Sequence, residues 1–343
     1  MRMITTMKNS IHIGRRFPRE KSVARYGRNP AAAKKETGAE RADGDSTHRS
    51  VLMREVLEFI APKDGEIILD ATAGAGGHAE ALLAAAEVRL VALDADRSAI
   101  AAVRARLARF GARATVIEAN FSDAQRALSS AGISHVDKAL FDLGWNRGQL
   151  YAGRGFSFMQ NEPLRMSYGD TPASGFTARD ILNSWSEEAL ADVFFGYGEE
   201  RYARRIARAI VEVRRRHPLE TTFELVAIIE SAVPAGYRHG RLHFATKTFQ
   251  SLRIAVNDEL RRLDRGVRGV WNILDEGGRI AVISFHSTED RIVKRLFQEF
   301  TRESGGHLLM KKPLAASRDE IAENPSARSA KFRVIEKRSV TSS

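Results

Sequence analysis

Four short segments hold the residue types that could do chemistry. In the first, Leu69-Asp70-Ala71-Thr72-Ala73-Gly74-Ala75-Gly76-Gly77-His78, an apolar run ends in a carboxylate, a small-residue turn follows, and a helical pattern begins. Glycines let the backbone approach a ligand closely and accept positive φ, and the start of a helix offers free N–H groups. The stretch from Gly74 to Ala79 also satisfies the loose dinucleotide pattern G-x-G-x-x-G/A. Asp70 tilts the reading: a carboxylate beside the turn suits a cationic amino acid moiety, as in S-adenosylmethionine, and repels pyrophosphate. In the second segment, Leu93-Asp94-Ala95-Asp96, Asp94 follows the turn by roughly 20 residues, where a carboxylate accepts the hydroxyls of a ribose. Asp96 is the alternative, or the cap of a helix starting near Ser98. In the third, Ala119-Asn120-Phe121-Ser122, Phe121 lies against an adenine or fills the core. The fourth is Phe141-Asp142-Leu143-Gly144-Trp145. An exocyclic amine is a poor nucleophile, because its lone pair is delocalised into the ring. Enzymes that methylate one place acceptors on the amine hydrogens and an aromatic on the base face. Asp142 is the candidate catalytic acceptor. Trp145 stacks a flipped cytosine or packs under neighbouring elements.

The elements that must position these residues alternate. Apolar runs at Ile67–Leu69, Leu90–Leu93, Ala114–Ile117 and Val136–Phe141 read as strands, and amphipathic patterns at 79–86, 98–110 and 123–130 read as helices. A first short helix covers Val51 to Ile60, ended by Pro62. Continuous apolar strands alternating with helices imply a mostly parallel sheet covered on both faces. The alternation stops at residues 151–245, where a loop rich in Gly, Ser and aromatics precedes helical patterns at 178–184, 186–195, 200–216 and 222–233. It resumes with a helix expected to run unbroken over 248–263 and on to Leu274. A strand at 279–285, a helix at 289–300 and a last strand at 331–336 follow. His286, just past the fifth strand, is a pocket residue or the cap of the next helix. The expected fold is α/β, a class I S-adenosylmethionine-dependent methyltransferase: a Rossmann-like, mostly parallel sheet with an inserted helical domain. Its expected parts are a basic, disordered tail (1–47), a first methyltransferase part (48–150), a helical insertion (151–245) and a second methyltransferase part (246–343).

Composition narrows the class. The 343 residues carry a net charge of +11 and no cysteine, with a pI near 10.1. The lack of cysteine excludes disulfides, zinc–thiolate sites and a thiol nucleophile, and no metal site is expected. Residues 1–47 hold 11 Lys/Arg against 5 Asp/Glu, so +6 of the charge sits there. Basic charge favours polyanionic partners, although this tail alone accounts for much of it. It reads as a disordered RNA-binding arm, an organellar transit peptide leading to the mitochondrial matrix, or sequence upstream of the true start. A cytoplasmic location is the default. No apolar run is long enough to span a membrane. The oligomeric state stays open, a homodimer included.

At this point the chain resembles the bacterial small-subunit rRNA (cytosine-N4)-methyltransferases, the RsmH (MraW) family. The segments that carry the resemblance run from His48-Arg49-Ser50-Val51-Leu52 through Asp70 to His78 and Asp142-Leu143-Gly144. They continue with Gly153-Arg154-Gly155-Phe156-Ser157-Phe158, Tyr197-Gly198-Glu199-Glu200-Arg201 and Thr248 to Asn257. Glu55-Val56-Leu57, Ala207-Arg208-Ala209-Ile210, Ile283-Ser284-Phe285-His286-Ser287 running to Lys294-Arg295, and Asn324-Pro325-Ser326-Ala327-Arg328-Ser329 complete the set. The resemblance implies S-adenosylmethionine as methyl donor and a cytidine in the decoding centre (P site) of 16S rRNA, within the small ribosomal subunit, as substrate. It implies donor contacts at Gly76, Gly77, His78, Asp94, Phe121, Asp142 and Gln149, and substrate recognition by the helical insertion. Two stretches depart from the family pattern: Trp145-Asn146-Arg147-Gly148 before Gln149, and Arg165-Met166-Ser167-Tyr168-Gly169-Asp170, where Arg165 replaces an aspartate. They motivate one alternative, a catalytically altered ribosome-assembly or RNA-binding factor of the same fold; the basic tail is compatible with another, a DNA amino-methyltransferase.

Overall fold

The computed structural model describes residues 50–144 and 153–339. His48, Arg49, Trp145 and Gln149 lie outside the described residues. Strands β1 (Ile67–Asp70), β2 (Arg89–Asp94), β3 (Ala114–Glu118), β4 (Val136–Asp142) and β5 (Leu274–Ser284) run parallel in the order β3-β2-β1-β4-β5. The sheet continues with β8 (Lys331–Lys337), antiparallel to β5, and with β6 (Gly306–Leu308) and β7 (Leu314–Ala315), both antiparallel to β8. This is the mostly parallel sheet that the alternating pattern predicts.

Alternate strand residues bury both faces. Ile68, Leu90, Ala92, Leu140, Ala281 and Ile283 pack with helices α1 (Met53–Ile60), α2 (Gly77–Ala85) and α3 (Arg97–Leu107). Leu69, Val91, Leu93, Ala139, Phe141 and Val282 face the other way, towards α4 (Ala124–Ser130) and two later helices. The stretches Ile68–Leu69, Leu90–Leu93, Ala139–Phe141 and Ile280–Ile283 are apolar because neither face of the sheet meets water there.

Between β4 and β5 the chain forms α5 (Ala178–Ser184), α6 (Glu187–Gly198), α7 (Ala203–Arg214), α8 (Thr222–Ala232) and α9 (Thr246–Asn257). These close on a core of their own that runs from Phe156 to Val256. Thr177, Ser186 and Thr221 cap α5, α6 and α8 with their side chains, which explains the sharp starts of these helices.

One expectation fails. The helix predicted over 248–263 and beyond is two helices, α9 and α10 (Glu259–Asn272), broken at Asp258 with φ 49°. The left-handed residue turns the chain from the insertion back to the sheet. Helix α11 (Ser287–Glu303) then leads into β6. The short β6 and β7, with α12 (Arg318–Glu323) after them, are elements the sequence pattern does not predict.

Candidate active site

The chain proceeds from β1 outward to β3, then returns to β4 on the other side of β1. Beyond the carboxyl ends of the strands, this reversal opens the crevice where ligands bind in sheets of this kind. Three neighbouring strands end there in a carboxylate: Asp94 on β2, Asp70 on β1 and Asp142 on β4. Thr72 ties two of them together, its hydroxyl accepting the Asp142 N–H at 2.6 Å.

Two cavities meet at this edge and share Thr72, Gly74, Asp142 and Gly144. One, of about 360 Å³, is walled by Asp94, Asp96, Phe121, Tyr168 and Glu289. The other, of about 440 Å³, is walled by Gly77, His78, His286 and the aromatics Phe156, Phe158, Phe249 and Phe285. Met166 faces the second cavity and Tyr168 the first, so residues 166–168 form a strap between them. Asn257 holds the strap: its Oδ1 accepts the Tyr168 N–H at 2.9 Å and its Nδ2 donates to the Met166 carbonyl at 2.7 Å.

The Gly74–His78 turn has the backbone its composition requires. Gly74 and Gly76 take φ of 53° and 79°, and Gly76 begins α2 without any side-chain cap. Asp94 Oδ2 accepts the Gly74 N–H at 2.9 Å and Oδ1 accepts the Asp96 N–H at 2.8 Å, so the carboxylate is fixed against the turn. Burial pushes the Asp94 carboxyl above its ordinary range, against the pull of those N–H groups. Asp96 caps α3 by accepting the Ser98 N–H at 2.8 Å, as in the structural reading of this residue. Phe121 meets Phe141 edge-on at 6.0 Å while also lining the smaller cavity. It thus packs in the core, as one of its two readings has it, and keeps part of its surface on the cavity.

His78 is buried at the junction. Its Nε2 lies 3.4 Å from Asp142 Oδ2, and neither ring nitrogen makes a hydrogen bond. Asp70 sits beneath, 1% exposed, one oxygen accepting the Thr72 N–H at 3.2 Å and the other buried without a partner. Burial pushes its carboxyl up to about 6, while His78 and the Thr72 N–H pull it back. An acid whose folded pKa is raised lowers stability once the unfolded chain ionises. Asp70 thus leaves stability untouched below about pH 4 and reduces it as pH rises towards 6. Without donor, Asp70→Asn should gain on the parent across that window by about 3 kcal/mol in urea unfolding. A gap that stays constant from pH 4 to pH 7 would contradict this account of Asp70.

Sequence reasoning missed the cluster behind the smaller cavity. Arg253, 7% exposed, pairs with Glu259 at 3.0 Å, and the Tyr168 hydroxyl donates to the same carboxylate at 2.8 Å. Burial keeps the Tyr168 phenol well above its ordinary range, so it remains a donor. His286 caps α11, with Nδ1 accepting the Glu289 N–H at 3.3 Å, and it also lines the larger cavity, so its two readings hold together. Glu259, His286 and Glu289 bring ligand-type atoms within 4.8 Å of one another. The buried guanidinium of Arg253 already supplies the positive charge that such a group attracts. The one local signal for the cluster is the polar run Asn257-Asp258-Glu259 at the helix break.

The model of the MraW methylase family matches residues 45–338. The chain belongs to the MraW methylase family. A ribosomal RNA small subunit methyltransferase H of Geobacter sp. (strain M21) is 44% identical over 311 residues, covering 85% of this chain and 99% of the relative. Its namesake in Syntrophotalea carbinolica is 47% identical over 306 residues, covering 84% and 97%. That of Nostoc punctiforme is 47% identical over 295 residues, covering 85% and 94%. The methylase is thus an S-adenosylmethionine-dependent enzyme. Its crevice fits the donor: a glycine turn, a helix start with no side-chain cap, and a carboxylate, Asp94, that lines the smaller cavity and is fixed against the turn.

Proposed function

We propose that the methylase transfers a methyl group from S-adenosylmethionine to N4 of a cytidine in the decoding centre of 16S rRNA, within the small ribosomal subunit. The observation that carries this reading is Asp142. It stands where the nucleoside-type cavity meets an aromatic-walled one, with a buried imidazole beside it. The curated relatives are named for methylation of small-subunit ribosomal RNA. Relatives from bacteria are also what supports a cytoplasmic setting. Among the described residues no helix is long and apolar enough to cross a membrane.

In this reading Gly76, Gly77, His78, Asp94, Phe121, Asp142 and Gln149 hold the donor, which supplies an electrophilic methyl group. Asp94 grips the ribose and Phe121 lies along the adenine. Phe156, Phe158, Phe249 and Phe285 enclose the base and keep water from the reacting amine. Asp142 accepts a hydrogen bond from that amine and so aligns its lone pair, positioning being the main source of rate. Residues 48–150 and 246–343 carry this chemistry with Phe156 and Phe158, and the helical part of residues 151–245 presents the RNA.

Two experiments test it. Asp94→Ala should weaken donor binding by roughly 10- to 100-fold in calorimetry, the loss of hydrogen bonds to a charged group; unchanged affinity would remove Asp94 from the site. Small subunits from a strain lacking the enzyme should gain N4-methylcytidine on incubation with protein and donor. A methyl group on a ring carbon, or none, overturns the proposal.

A further inference from the structure

The net positive charge of the chain beyond residue 47 is concentrated in one short segment, helix α7 with its two flanks. Residues 48–343 carry a net +5, yet residues 201–216 alone hold seven arginines against Glu212, a net +6. Everything else from residue 48 onward sums to −1. Arg201, in the turn before α7, and Arg204, Arg205 and Arg208 recur at helical spacing, opposite the buried Ala203, Ile206, Ala207 and Ile210. Among the described residues only Arg208 of these four has a carboxylate partner, Glu187 at 3.4 Å. Like charges at this spacing destabilise a helix, so folding alone does not account for the row.

Part of the row is pre-ordered. The Arg201 guanidinium stands 4.9 Å from the ring centre of Tyr202 and 4.7 Å from that of Tyr237, and Arg205 is 5.7 Å from Tyr202. The two rings meet edge-on at 5.0 Å. Fully buried Glu200 fixes both residues, accepting the Tyr237 hydroxyl at 2.7 Å and the Tyr202 N–H at 2.8 Å. The platform is also joined to the cleft. Lys247 Nζ donates to the Glu199 carbonyl at 2.9 Å, and its neighbour Thr246 lines the aromatic cavity, as does Gln250 one turn further along.

We propose that Arg201, Arg204, Arg205 and Arg208 form the docking surface for the sugar–phosphate backbone of the RNA that flanks the target base. The inference rests on the reading of the protein as an RNA methyltransferase and gives that reading a contact surface. Stacking holds two of the guanidinium groups in place, so less side-chain freedom is lost when phosphates bind. Backbone contacts of this kind position the RNA without reading its sequence.

The test compares the full-length parent with an Arg204→Gln/Arg205→Gln/Arg208→Gln variant. Binding to small subunits and to protein-free 16S rRNA is followed across salt concentrations, with donor affinity and thermal midpoint as controls. Three lost phosphate contacts should lower the slope of log K against log salt by about 2 to 3 and weaken binding more than tenfold at low salt, for both targets. The single Arg204→Gln variant, at an exposed residue without a protein partner, should lower the slope by about 0.7 to 0.9, which keeps the test decisive if the triple variant folds poorly. Unchanged slopes overturn the proposal. So does a loss confined to intact subunits, which would point to an acidic protein face. If the parent binds RNA through this ridge yet methylates no cytidine N4, the functional reading fails and the docking surface stands.

Discussion

Asp142→Ala should leave a folded protein whose single-turnover methyl transfer to small subunits is slower by about 10²- to 10⁴-fold, the range for losing a positioned acid–base or acceptor group. The fold should persist because Asp142 is anchored through its backbone: its N–H donates to Thr72, and Gly144 N–H meets its side chain only at 3.3 Å. The proposed site also places Asp142 against the donor, so donor affinity must be measured separately by calorimetry. A fall in rate at saturating donor marks an interaction made in the transition state, whereas a rise in KM alone marks ground-state binding. Asp142→Asn, which retains one acceptor oxygen, should fall between the parent and the alanine variant. An alanine variant within an order of magnitude of the parent at saturating donor would remove Asp142 from the chemistry.

Glu259→Gln should destabilise the protein by about 3 kcal/mol, the lower end for breaking a buried ion pair, because the Glu289 carboxylate still acts on the Arg253 guanidinium. The side chains of Arg253 and Glu259 are 8% and 14% exposed, so water does little to screen the loss. The Tyr168 hydroxyl would lose a charged acceptor at the same time. Urea unfolding at neutral pH measures the change. Converting both Arg253 and Glu259 to apolar residues of similar volume should recover much of it, because the penalty belongs to the stranded charge. A loss below about 1 kcal/mol for the single variant would mean that the pair behaves as a surface one.

Much of this was legible in the order of residue types. Apolar runs ending in Asp70, Asp94 and Asp142 announce strand ends, and a parallel sheet brings such ends to one edge. Periodicity exposed α5 to α8, three of which begin at Ser or Thr caps. Asp258 was not legible, because a lone left-handed residue between two helical stripes carries no Gly or Pro to mark it. Tyr168 and Glu259 are 91 positions apart, and no local pattern ties them. Strand β6 has three residues and β7 two, too short for alternation to register. Asp70 looked from its position like a wall of the ligand crevice. The structure places it below the floor, where its second oxygen has no partner. Trp145 and Gln149 lie outside the described residues.

The strap at 166–168 has a thermodynamic consequence. Its two ends face different chambers, so an occupant of one that displaces Met166 changes the room Tyr168 leaves for an occupant of the other. Such a shared partition makes two equilibria interdependent, and reciprocity then demands that each ligand alter the other's dissociation constant by the same factor. Asn257, bonded to both ends of the partition, sets how stiffly that influence is transmitted.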